Sequence, residues 1–253
     1  MFRGVEKKGF YTMERIWFSD KEESNADIVR YMRTLRPMFG RYVHSESVET
    51  VFSDLNKSKD DILACSTKTV KYEVNKCEKE GVEVSFYVAS DLKVNKDILD
   101  EFERAYLDFA NDLGLKDVKE AYKRSKIDNY IECDCVLLSK AEKDGVSVYH
   151  LYSCGGGECV LNYSVSNFRM DPSKRNLAGR MNKLLHIKDM DWFRERNYTL
   201  YDWGNISSSQ NPNGIDIFKM SFGGDVVTVY NSFVGNSFLG RLLVVLYKLA
   251  RKL

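Results

Sequence analysis

Few residues in this chain are placed for acid–base or nucleophilic chemistry, and most of them fall in its C-terminal half. In the stretch YDWGNI, Asp202 and Asn205 stand at the end of a run that reads as a central strand, where α/β folds gather functional groups. Either side chain suits the orienting of a polar substrate group. The favoured role for Asp202 is to accept backbone hydrogens in an Asx-turn and so hold the loop that follows. Gly204 supplies a backbone conformation that Trp203 is not free to adopt. His186, one of three histidines, falls inside a long helical pattern. An imidazole titrating near neutrality is a natural general base, but the apolar LLH context favours packing beside a core. Tyr152 and Tyr163, on expected strands, are acid candidates whose ordinary role is core packing. Cys133, Cys135, Cys154 and Cys159 lack the paired-knuckle spacing of a zinc ribbon, so buried thiols are expected and no metal site.

The rest of the composition limits what these residues can belong to. A chain of 253 residues with 43% hydrophobic and 13% aromatic content can bury a substantial core. Lys plus Arg (38) nearly balances Asp plus Glu (37), for a net charge of +1, so no basic field for duplex DNA is expected. The N-terminus, MFRGVEKKGFYTMERIWF, lacks the apolar core of a signal peptide, and no run approaches the ~20 apolar residues of a membrane span. A soluble, cytoplasmic protein is expected, and its six cysteines are too sparse for a disulfide scaffold.

The elements that must position these residues alternate along the chain. Residues 15–19 read as a short strand and Asn25 to Leu35 as a helix stopped by Pro37. Residues 42–55 suit one or two strands. Ser58 caps a helix with Asp60 and Asp61 in its first turn, which ends at Gly81. The stretch VEVSFYVA reads as a buried strand, and Ile98 to Leu113 as an amphipathic helix stopped by Gly114. Tyr130–Ser139, Val146–Cys154 and Cys159–Phe168 form an expected antiparallel meander joined by KDG and GGG turns. A long helix over Leu177–Arg196 follows, then a strand at Thr199–Trp203. Two strands at Phe218–Phe222 and Val226–Phe233 precede a terminal helix over Ser237–Leu253. The pattern predicts an α/β fold with a mixed, largely antiparallel sheet flanked by helices. Residues 1–40 form a strand and helix segment, either a flap or part of the main domain at 41–253.

Three stretches in order, Leu55–Val84, LAGRMNKLLHIKDMDWFRERNYTLYDWGNI (Leu177–Ile206) and FKMSFGGDVV (Phe218–Val227), together resemble the FemABX-type aminoacyltransferases, a branch of the GNAT fold. The resemblance spans roughly residues 55–235 and implies a GNAT-like domain. In the best-known members it implies transfer of an aminoacyl group from a charged tRNA to an amine of a cell-wall precursor. Those enzymes carry two such domains, and this chain has room for one full copy.

By the same resemblance, Lys219 matches the first Lys of the family's FKKGFG motif and becomes the candidate cation for the developing oxyanion. Met220 and Ser221 depart from that motif. GNAT acetyltransferases hold a pyrophosphate at the start of their long helix with Q/R-x-x-G-x-G/A. Here Arg175 matches, while Ala178 and Arg180 replace the small residues, although two arginines at a helix start can still bind an anion. No bound cofactor is implied, and the donor is acyl-CoA or aminoacyl-tRNA. The acceptor is a small molecule or a cell-envelope or polysaccharide precursor. An acetyl-CoA-dependent N-acetyltransferase and a non-catalytic binding protein are the alternatives. The terminal helix, with leucines on one stripe and Arg241, Lys248 and Lys252 on another, suits peripheral contact with an anionic membrane but is better explained as a cover for the sheet.

Overall fold

The run IVRYMRT, expected within a helix, is a strand. In the computed structural model, which describes residues 1–112, 114, 122–168 and 171–250, β3 (Ile28–Thr34) is hydrogen-bonded on both edges. It runs parallel to β2 (Tyr11–Trp17) and antiparallel to β10 (Asp225–Gly235). Short apolar runs do not discriminate helix from strand by spacing alone, and two neighbouring ladders decide for strand. Together with β1 (Phe2–Lys8), these N-terminal strands extend the central sheet.

The sheet continues past β10 with β4 (Val43–Asp54), β9 (Leu200–Ile206), β8 (Glu158–Ser166), β7 (Val146–Gly155), β6 (Val136–Lys143) and β5 (Glu83–Val88). It is mostly antiparallel, with β2–β3 and β8–β9 as its parallel pairs. The β6–β7 hairpin turns on Asp144 (φ 51°) and Gly145 (φ 74°), both left-handed as a two-residue hairpin needs. On the β5 edge the burial alternates, so that strand is not fully buried as expected.

Helices cover both faces. Ser58 does cap α1 (Lys59–Cys65), accepting from the Asp61 amide, but the chain breaks and Thr67 caps a separate α2 (Lys68–Lys79). These two and α6 (Arg175–Arg194) bury Val70, Val74, Leu184 and Phe193 against Tyr152, Tyr201 and Trp203. On the opposite face α3 (Ala89–Val94), α4 (Asp97–Asp112) and α5 (Arg124–Glu132) bury Leu99, Phe102 and Ile127 against Leu138, Leu151 and Val160. Each fully buried large side chain contributes about 1.5–3 kcal/mol, so the two layers clamp β6–β9 from both sides. Tyr130, expected to open a strand, lies in α5, and Asp134 (φ 53°) turns the chain before β6. Cys133 and Cys135 therefore flank that turn and do not share a strand face.

The last two helices complete the fold. Residues 218–222, expected as a strand, belong largely to α7 (Gly214–Met220). The terminal α8 (Phe238–Ala250) covers the sheet through Gly240, Val244 and Tyr247, which packs on Phe233, while Leu242, Leu246 and Leu249 remain exposed. The expected helix ends at Leu113 and Leu253 lie outside the described residues. None of the described helices is long and apolar enough to cross a membrane.

Candidate functional site

The parallel ladder between β8 and β9 lasts three pairs, Glu158–Leu200, Cys159–Tyr201 and Val160–Asp202. Beyond it the strands part, and a cavity of about 480 Å³ opens between Leu161, Asn162 and Ser164 on one side and Trp203, Gly204 and Asn205 on the other. Gly204 sits at the fork with φ 74°. A Cβ there would stand 2.7 Å from the Leu161 carbonyl oxygen, so only glycine fits both the left-handed backbone and the close approach. This is the role expected of it, with a steric reason added.

Asp202 lies beneath the fork and is fully buried. Its Oδ1 accepts from the Gly204 amide (2.8 Å) and from the Thr50 hydroxyl (2.5 Å), the Asx-turn expected from sequence. Its charge is met by Arg33, whose Nε lies 3.0 Å from Oδ2. The same guanidinium donates from Nη1 to Asn205 Oδ1 at 2.7 Å. Arg33 reaches this position because β3 bulges against β10, and Arg33 takes a left-handed φ of 61° there. A non-glycine residue held that way within a strand is costly, and such strain concentrates at functional sites. One buried arginine thus fixes both polar residues of YDWGN.

Lys219 arrives from the other side of the fork. Asn213 caps α7, accepting from the Ile215 and Asp216 amides, while Asp216 accepts back from the Asn213 amide. Asp216 also takes the Ser207 amide at 3.0 Å and the Ser207 hydroxyl. Burial works against that carboxylate, but hydrogen bonds from Ser207 and Asn213 hold it below the usual aspartate range. The connecting loop is tied down further where the Ser209 amide and hydroxyl both donate to Glu49, each at 2.8 Å. The short helix so anchored presents Lys219 Nζ to the Asn205 carbonyl oxygen at 2.7 Å. Burial brings the Lys219 ammonium down to about 8, against the pull of Asp202 and with Arg33 adding repulsion. Lys219, Asn205 and Arg33 all line the cavity.

The other expected site residues lie elsewhere. His186 is buried under Trp203, Phe218 and Phe222, with its Nδ1 2.7 Å from the Tyr201 hydroxyl. Burial, with repulsion from His150 and Lys219, pushes its imidazole well below the ordinary histidine value. It belongs to a polar network in which Tyr152 bonds Asp189 and Tyr201, and His150 lies between Asp189 and Asn182, each at 2.6 Å. His150, His186 and Asp189 present ligand atoms within 4.8 Å of one another. Both His150 nitrogens and His186 Nδ1 already have partners, so the set reads as a buried polar network.

Tyr163 sits in an aromatic cluster with Phe102 and Tyr106, its hydroxyl pushed up to about 12 by burial. Arg175 is exposed, and Arg180 is paired with Glu80 at 3.2 Å. Neither arginine lines the cavity. Burial also drives the Cys135 and Cys154 thiols up to about 12.

The fold matches solved structures, whereas no family model and no curated protein matches the sequence. Superposition on FemX gives a TM-score of 0.61 at 12% identity, covering 95% of this chain and 85% of that one. The C-terminal domain (DUF2156) of a protein assigned as a lysylphosphatidylglycerol synthetase from Agrobacterium fabrum gives 0.55 at 14% identity, over 95% and 82% of the two chains. L-PGS from Bacillus licheniformis gives 0.52 at 13% identity, over 95% and 83%. This chain therefore has the GNAT-like fold that FemX and these synthetases share.

Proposed function

We propose that the chain is an aminoacyltransferase, moving an acyl or aminoacyl group onto an amine at the β8–β9 fork, with aminoacyl-tRNA as donor and a cell-envelope precursor as acceptor. The observation that carries this reading is the placement of Lys219. It is a half-buried ammonium fixed by a capped helix beside parted parallel strands, in the fold of enzymes whose name joins a lysyl group to phosphatidylglycerol. Acyl transfer needs a neutral nucleophile and a fixed positive group where the carbonyl oxygen becomes charged. In this reading Lys219 supplies that charge. Arg33 and Asn205 hold the β9 backbone that forms one wall, and the open fork admits the acyl chain. Asp202 acts through Arg33 and the Gly204 amide as a positioning residue.

The acetyl-CoA alternative has less behind it here, because Arg175 and Arg180 do not face the cavity and Arg180 is already paired. Differential scanning fluorimetry with acetyl-CoA separates the two readings. A bound donor at 100 times its Kd adds about 2.7 kcal/mol. We expect no such shift with acetyl-CoA and label transfer from charged tRNA. A saturable acetyl-CoA shift with acetyl transfer would replace this proposal with the N-acetyltransferase.

A further inference from the structure

The end of the cavity away from β9 carries a concentration of positive charge that the transfer chemistry leaves unused. Arg15 and Arg30 are register partners on the parallel strands β2 and β3, so their guanidinium groups stand side by side on one face of the sheet. Directly opposed like charges are destabilising in a sheet. Lys126 adds a third cation from the first turn of α5, where the helix dipole disfavours positive charge. All three line the cavity that also contains Arg33 and Lys219, and no Asp or Glu lines it. Glu6 is already shared between Arg15, at 2.7 Å, and Lys8, and Asp202 is taken by Arg33.

Arg30 rests over the Phe233 ring at 4.6 Å, and the Lys126 ammonium lies 5.7 Å from the Tyr130 ring. Among the described residues neither makes an ion pair. The Nε atoms of Arg15, only 6% exposed, and of Arg30 are buried donors with no acceptor. Burial, then repulsion from Arg15 and Arg30, brings Lys126 down to about 8. Cations gathered this way along a cavity, with buried donors left without an acceptor, call for an anion from outside the chain.

We propose that Arg15, Arg30 and Lys126 form a subsite for a phosphate ester. Glu6 beside Arg15 and Glu46 acting on Arg30 offset only part of the local charge, which leaves the cluster positive toward a phosphate anion. Guanidinium forks also fit phosphate oxygens two at a time. The subsite itself stands on this geometry alone. Its use, to anchor a phosphorylated substrate while the reacting end reaches Lys219, rests on the transfer reading above.

Calorimetric titration of the full chain with inorganic pyrophosphate at low salt tests it, beside sedimentation with phosphatidylglycerol vesicles. We expect saturable binding of one or both probes, weakened at least tenfold by Arg30→Gln and severalfold by Lys126→Gln. The control Lys68→Gln, on an exposed face of α2, should bind as the parent does. Circular dichroism would confirm that each variant is folded. Pyrophosphate binding without vesicle binding assigns the subsite to a soluble phosphate ester, and vesicle binding lost in Arg30→Gln assigns it to a lipid headgroup. Absence of both, or binding untouched in Arg30→Gln and Lys126→Gln, overturns the proposal. Anion binding that persists in a chain inactive in transfer would sink the transferase reading and leave the subsite standing.

Discussion

At the scale of single residues the site depends on which groups are charged. Lys219, brought down to about 8 by burial, is mostly an ammonium at pH 7 and mostly neutral at pH 9. If it stabilises an oxyanion, transfer should fall about tenfold per pH unit above 8, and a pH–rate profile with a saturating donor would show it. Lys219→Met should lower kcat by about 10²–10³-fold, the usual cost of removing one oxyanion donor. Arg33 is a stability matter as well. Arg33→Met leaves the Asp202 carboxylate buried without its cation, and such a break costs about 3–5 kcal/mol. Urea denaturation of the variant should show that loss, and an unchanged midpoint would mean that Asp202 finds another partner. Arg33 was invisible in the sequence, because only a β-bulge at a strand pairing no local pattern reveals turns it toward YDWGN.

At the scale of elements, β9 and α7 do the positioning. Gly204→Ala must strain a left-handed backbone, about 1–2 kcal/mol, and displace the Leu161 carbonyl oxygen. We expect a lower thermal midpoint together with loss of transfer. A variant of full stability and activity would show that the fork is loose. The Asx-turn at Asp202 and the need for Gly204 were legible because both are local. The helix α7 was not, since FKMSF alternates apolar and polar residues as a strand does. Its start was nonetheless signalled, by Asn213 followed three residues later by Asp216, a capping arrangement worth about 0.5–2 kcal/mol. The strand β3 carried no such mark, because its partners β2 and β10 lie on either side in the sheet but one of them is nearly 200 residues away in the chain.

At the scale of the whole molecule, the buried network of His150, His186, Asp189, Tyr152 and Tyr201 ties α6 to β7 and β9 beneath the fork. Its sign with pH follows from His186. Native His186 stays neutral well below its ordinary value of 6.5, whereas the unfolded chain takes up a proton as pH falls through that value. The stability it contributes is present above about 6.5 and is lost progressively as pH falls below that value. Chemical denaturation at pH 7.5 and 5.5 should show this difference, reduced in His186→Phe. The fold class and the meander were readable from alternation and turn residues, and the FemABX-like resemblance is matched by the fold shared with FemX. The most direct test of the central claim is transfer of a radiolabelled aminoacyl group from a mixture of charged tRNAs to envelope precursors and phosphatidylglycerol vesicles. The account predicts label in acceptor with the parent chain and about 1% of it or less with Lys219→Met. Equal transfer by the folded variant, or none by the parent with any acceptor, would contradict it.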